Sequence, residues 1–180
     1  DSFGDGDAGD VSITAGKLLV QGNGSDLTFI SSDALGAGKA GGVTVDARSV
    51  SVTGGGFISS DTYTSGAGGD ISIKSDTLSL RDFGNIRSRT LSEGQAGNIR
   101  IATGTLDLSG GGAISSEATE TSFGNAGFVG IVADTVTLAK DALISTASRG
   151  EGNAGQVGIV AKTLTVESAL ISSSAEQGAR

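Results

Sequence analysis

The sequence predicts an all-β fold: a single-stranded, right-handed parallel β-helix of about six coils, each of ~28 residues with three short strands. Three observations carry that reading. Six glycines, Gly9, Gly41, Gly69, Gly97, Gly127 and Gly155, recur at spacings of 32, 28, 28, 30 and 28. Each is followed two and four residues later by an aliphatic pair, from Val11 and Ile13 through Val157 and Ile159. Nine residues after each glycine a second pair begins: Leu18 and Val20, Val50 and Val52, Leu78 and Leu80, Leu106 and Leu108, Val136 and Leu138, Leu164 and Val166. That offset holds in all six copies.

A third beat is an isoleucine followed by small polar residues, at Ile30, Ile58, Ile86, Ile114, Ile144 and Ile171. Apolar residues within a beat alternate with period two and are rich in β-branched side chains, which is strand patterning. Gly, Asn, Asp and Ser punctuate the gaps and supply turns. No segment keeps helical spacing, and glycine recurs too often for helices. A unit this short cannot bury its own apolar face, so it must stack on copies of itself. The extra residues lie in gaps, before Ile30 and between Ile114 and Gly127, where a stacked coil tolerates them. At roughly 4.8 Å per coil, six coils make a rod of about 29 Å. A β-sandwich has no reason to preserve one offset six times over.

Composition agrees. Thirty-one glycines in 180 residues is more than twice the average usage of roughly 7%, and proline is absent. Aromatics are 4%, and Met, Trp, Cys and His are all missing, so burial rests on small aliphatic side chains in a thin, regular interior. Without Cys or His, disulfide frameworks, thiolate metal sites and Ser-His-Asp or Cys-His catalysis are excluded. A net charge of −8 argues against nucleic acid, which needs a basic stripe. No apolar run reaches the ~18 residues of a membrane span, so no membrane insertion is expected. Residues 1–180 read as one repeat domain, a piece of a longer array.

Candidate binding residues are few. Arg81, Arg87 and Arg89 lie in R-D-F-G-N-I-R-S-R-T, with Arg100 one coil on, forming the one basic cluster. It is a candidate for an anionic glycan, or a surface salt-bridge patch with Asp82. Phe128, Val132 and Val160 should point away from the core if Val129 and Ile131 point in, with Gly130 and Gly158 leaving the backbone bare between them. That predicts an exposed apolar strip, a contact surface or a face covered by another part of the protein. The run Gly4–Asp10, G-D-G-D-A-G-D, lacks both the nonapeptide repetition of calcium solenoids and the EF-hand spacing, so no metal or other cofactor is expected. Asn23-Gly24-Ser25 is a formal glycosylation sequon in the first insertion. No local motif nominates a pair of glycosidase carboxylates.

The recurring G-N-A-G strand start (Gly124–Gly127, Gly152–Gly155), the following L-x-[LV] and the I-S-S close resemble the repeats of large exoproteins of the filamentous-haemagglutinin type. The resemblance covers all six coils. It implies a right-handed β-helix at a bacterial surface or in the extracellular space, exported through an outer-membrane partner channel and serving adhesion, aggregation or toxin delivery. The family's export domain carries Asn-Pro motifs, and this sequence has no proline, so the resemblance implies central shaft and transfers no export or receptor-binding residue. The expected partners are neighbouring repeats or further copies, with a surface glycan or protein receptor in addition. The expected function is a non-enzymatic structural or adhesive shaft; the alternative is a β-helix that binds or degrades polysaccharide through Arg81 to Arg100.

Overall fold

The computed structural model describes residues 1–23 and 28–176. The first insertion (residues 24–27), and with it Gly24 and Ser25 of the sequon, lies outside the described residues. Among these residues the regular structure is all β, with no helix, wound into a parallel β-solenoid of about six turns. One sheet stacks β1 (Val11–Gln21), β3 (Val43–Thr53), β5 (Ile71–Arg81), β7 (Ile99–Ser109), β9 (Phe128–Ala139) and β11 (Gln156–Glu167) in that order. The other stacks β2 (Thr28–Ser31), β4 (Gly56–Thr62), β6 (Asn85–Thr90), β8 (Ala113–Ala118), β10 (Leu143–Ser148) and β12 (Leu170–Ala175).

Each turn thus holds two strands in place of the three expected. The first two beats are parts of one long strand. In β3, Val43, Val45 and Ala47 face inward at odd positions, whereas Val50 and Val52 face inward at even ones. The phase shifts at Arg48 and Ser49, where the ladder skips one residue between Ala47↔Ser75 and Ser49↔Thr77. The chain turns a corner there without leaving the sheet, so polar residues that read as a gap are a bend in a continuous ladder.

The register is the one the glycine spacing predicts. Val43, Ile71, Ile99 and Val129 align, as do Val52, Leu80, Leu108 and Leu138, and Ile58, Ile86, Ile114 and Ile144. All of these are at most 2% exposed. Identical or near-identical side chains pile directly over one another, so each inner turn is packed from both sides.

The repeat glycines are required by close approach between turns. A Cβ on Gly69 would lie 2.1 Å from the Gly41 carbonyl oxygen, and one on Gly97 would lie 2.0 Å from that of Gly69. An inward column of hydroxyls closes the same corner. Ser60 Oγ donates to the Gly41 carbonyl at 2.9 Å and accepts from the Gly69 N–H at 2.9 Å. Ser88 accepts from Gly97 at 2.8 Å, and Ser116 donates to Gly97 and accepts from Gly127, both at 2.9 Å. These serines are buried, and each links the glycine of one turn to that of the next. Thr146 follows Ser116 in the column, but its buried hydroxyl has no partner.

Four of the turns from long strand to short use two consecutive left-handed residues, and the last uses Ser168 alone (φ 51). Gly54 and Gly55 (φ 60 and 77) and Gly110 and Gly111 (φ 58 and 74) adopt it without a Cβ cost. Asp82 and Phe83 (φ 49 and 63) and Lys140 and Asp141 (φ 51 and 65) are held in it by the turns on either side.

The hydroxyl column yields a paired prediction. Ser88→Ala leaves the Gly97 N–H buried and unpaired and should lower stability by about 1–3 kcal/mol in chemical denaturation. Thr146→Ser restores the stitching side chain and should raise stability, by up to about 1 kcal/mol. Two neutral results would show that these hydroxyls do not tie turn to turn.

Candidate functional site

Parallel in-register stacking places any two equivalent residues one strand spacing apart, so surface chemistry is organised in columns along the axis. The four arginines of the basic cluster fall in different columns and on both sheets. Arg81, at the end of β5, pairs with Asp107 at 2.5 Å, and Arg100 of β7 pairs with Asp70 at 2.7 Å. These pairs are largely exposed, worth roughly 0–1 kcal/mol each. Arg87 and Arg89 of β6 lie instead on the short-strand sheet and converge on one carboxylate, that of Asp61 in β4.

Asp61 is 1% exposed. One of its oxygens, Oδ2, accepts from Arg87 Nε at 3.3 Å and from Arg89 Nε and Nη2 at 3.2 and 2.8 Å. The other accepts the Arg89 backbone N–H at 3.1 Å, while the Asp61 N–H donates to Asp33 at 2.8 Å. Burial pulls the Arg89 guanidinium down, but the hydrogen bond and charge of Asp61 more than offset it, so the group sits above its ordinary value and stays cationic. Arg87 also lies over the Phe57 ring, 4.6 Å from its centroid, a cation–π contact.

Around this ion triad lies a cleft of about 260 Å³, lined by Phe29, Asp33, Phe57, Ser59, Asp61, Tyr63 and Arg87. Two apolar columns wall it. One is Phe29 over Phe57, in register at the start of the short strands. The other contributes Tyr63, with Leu35 and Leu91 outside the lining in the turns on either side; the N–H groups of Leu35, Tyr63 and Leu91 donate to the carbonyls of Ser2, Ala34 and Thr62 of the preceding turn. Phe29 is 58% exposed and Tyr63 41%. Sequence reasoning missed both Asp61 and this wall. A signal for the wall was present: Leu35, Tyr63 and Leu91 each stand five residues after a third-beat isoleucine.

The apolar strip lies on the long-strand sheet. Val132 and Val160 are adjacent in register and 59% and 68% exposed. The Phe128 ring folds over the bare backbone: a Cβ on Gly130 would meet its Cε1 at 2.3 Å, and one on Gly158 would meet its Cε2 at 3.3 Å. A trough of about 470 Å³ follows, lined also by Ala102, Lys74 and Arg100. Arg100 is occupied with Asp70. Burial pushes the Asp70 carboxyl up, but N–H groups of Asn98 and the Arg100 guanidinium donate to it and hold it below its ordinary value of 3.8.

Among the described residues no group of three or more His, Cys, Asp or Glu side chains is arranged to hold a metal ion. Asp7 and Asp10 of the Gly4–Asp10 run accept the backbone N–H groups of Lys39 and Gly42 in the next turn, at 2.8 and 2.7 Å. No helix among the described residues is long and apolar enough to cross a membrane.

Two measurements test the electrostatics. Asp61→Asn leaves two half-buried guanidinium groups without a countercharge, and unfolding should show a loss of about 2–4 kcal/mol. A loss no larger than that of Asp107→Asn would mean that the triad is only a surface pair. Because the folded Asp70 carboxyl is depressed, its contribution is present above about 3.8 and fades as pH falls through the lowered value. Asp70→Asn should therefore lose less stability than the parent chain between pH about 5 and about 2.5. Equal losses would rule out that linkage.

No family model matches the sequence, and comparison with curated proteins and with solved structures returns no match either.

Proposed function

We propose that this chain is a non-enzymatic structural shaft, a length of an extracellular or cell-surface bacterial protein whose role is reach and stiffness. One observation carries the reading: every inner turn is hydrogen-bonded to a neighbour on each side, in both sheets and in unbroken register. Such an array resists local opening because no turn can leave without breaking two ladders, and its stability grows with each added turn. We take the winding to be right-handed, the hand that parallel crossovers adopt. The likeness of the G-N-A-G strands to filamentous-haemagglutinin repeats supports the same assignment and, with it, export through a partner channel and a role in adhesion. The partners that fit best are neighbouring repeats or further copies. Leu164 and Val166 of β11 face inward by register yet stand 46% and 44% exposed, a surface suited to another turn.

The alternative, an acidic polysaccharide bound or cleaved across Arg81 to Arg100, has less support. Each of those guanidinium groups already faces a carboxylate, and the four are spread over two sheets.

Removal of one whole turn tests the shaft. Deleting residues 129–156 joins Phe128 to Val157, which is the register partner of Val129, so β7 would meet β11 with every column preserved. The shortened chain should keep its β-sheet circular dichroism and cooperative unfolding, and its maximum dimension by small-angle scattering should fall by about 5 Å. Loss of folding on this deletion, or turnover of an acidic polymer by the intact chain, would overturn the reading.

A further inference from the structure

We propose that the cleft over the Asp61 triad binds an uncharged oligosaccharide. The proposal stands on the side chains of this cleft alone and does not rest on the shaft assignment. Its first ground is charge balance. Asp33, Asp61 and Arg87 line the cleft, and Arg89, outside the lining, supplies the second positive charge through Asp61. Both cations are already spent on Asp61, with Arg87 held further by the Phe57 ring. An acidic ligand would have to displace Asp61, which is buried and receives four N–H donors. A cationic ligand would meet Arg87. A neutral ligand meets neither penalty.

The second ground is the combination of surfaces. Along β4 and the residue after it, Phe57, Ser59, Asp61 and Tyr63 occupy alternate positions and therefore one face. Aromatic rings thus stand at both ends of a polar floor, separated by roughly 20 Å along the strand at ~3.3 Å per residue. Phe29 extends the first platform into the neighbouring turn. A pyranose ring presents an apolar C–H face and a rim of hydroxyls, and a saccharide of a few rings spans that distance. Its C–H faces would rest on Phe29 and Tyr63, which are otherwise exposed aromatic surface, and its hydroxyls would reach Asp33, Ser59 and the outer N–H groups of Arg87. Small-molecule sites share this mixture of apolar walls with a few fixed polar groups.

The experiment is calorimetric titration of the full chain with three uncharged probes, cellotetraose, maltotetraose and chitotetraose, beside the acidic tetragalacturonate. At least one uncharged probe should bind with Kd near or below about 1 mM. That affinity should change less than about twofold between roughly 50 and 500 mM salt, because no net charge is engaged. Phe29→Ala and Tyr63→Ala, both at exposed positions, should each weaken binding tenfold or more with the melting temperature unchanged. Phe83→Ala, an exposed aromatic on a turn outside the cleft, should leave it intact. The proposal fails if no uncharged probe binds at about 10 mM. It fails equally if only tetragalacturonate binds, with steep salt dependence, or if Phe29→Ala and Phe83→Ala behave alike. The turn deletion at 129–156 leaves every cleft residue in place, so this result and the fate of the shaft reading are separable.

Discussion

A carbonyl oxygen of one turn occupies the space where a side chain of the next would begin. At Gly41, Gly69, Gly97, Gly127 and Gly155 an added Cβ would fall within 2.4 Å of the glycine oxygen one turn back. That contact sets how closely the turns approach at the corner leading into each long strand. It leaves room for one small side chain from inside, and serine fills it, with one lone pair for the incoming N–H and one proton for the outgoing carbonyl. Thr146 shows the tolerance of the arrangement. Its extra methyl is admitted, and a Cβ added at Gly155 would lie 3.2 Å from the Thr146 Cβ, but the hydroxyl has no partner.

Once that spacing is set, the rest of the molecule follows from stacking like over like. Aliphatic columns gain from it, since each side chain buries its neighbour. Charged columns do not, because like charges directly opposite on adjacent strands repel. The surface resolves this by changing sign from turn to turn. Asp46 faces Lys74, Arg89 faces Glu117 and Asp134 faces Lys162, while Asp70 and Glu117 reach Arg100 and Arg149 diagonally, at 2.7 and 3.4 Å. Asp and Asn side chains at strand starts avoid the problem differently, by accepting the N–H of the next turn, as Asn125 does from Asn153 at 2.7 Å. Asp1, Asp33 and Asp61 form a run in which like charges are adjacent, and Asp33 donates its N–H to Asp1 at 3.1 Å. It is stable because Asp61 is drawn to two arginines and donates its own N–H to Asp33.

The core was legible in the sequence because its signal repeats. Val43 and Ile71 are separated by one turn in the chain and by one strand spacing in space, so a spacing of 28 residues is itself a contact list. The corner in the long strands was not legible. Arg48-Ser49 or Asp76-Thr77 read as a break, because a polar pair between aliphatic pairs has the same composition whether the chain leaves the sheet or bends within it. The outward direction of Val132 and Val160 follows from simple alternation, whereas the way Phe128 folds back over two glycines does not, since ring direction is a rotamer choice. Asp61 was missed for a third reason. It sits in a short-strand column otherwise filled by Asp33, Arg89, Glu117 and Ala147, and only side-chain geometry shows that two arginines of the next turn reach it.

This division explains where recognition can arise on such a scaffold. Inward positions are constrained by the columns above and below, so a turn has little freedom there. Outward positions carry no such demand, and a run of two or three turns can diverge together without disturbing the ladder. Phe29 with Phe57, and Leu35 with Tyr63 and Leu91, are such local runs: the first column continues as Asn85, Ala113, Leu143 and Leu170, with no further aromatic ring, and the second as Thr119 and Arg149. The valine strip is another, since its column begins as Thr14, Asp46 and Lys74 before Ala102 leads to Val132 and Val160. Because neighbouring turns are locked in register, a column that turns aromatic for two steps builds a platform two rings deep with no loop rearrangement. A site of this kind is rigid before any ligand arrives, which reduces the entropy lost on binding. The regular backbone that stacks one turn on the next therefore also presents a short run of unusual side chains as a fixed surface.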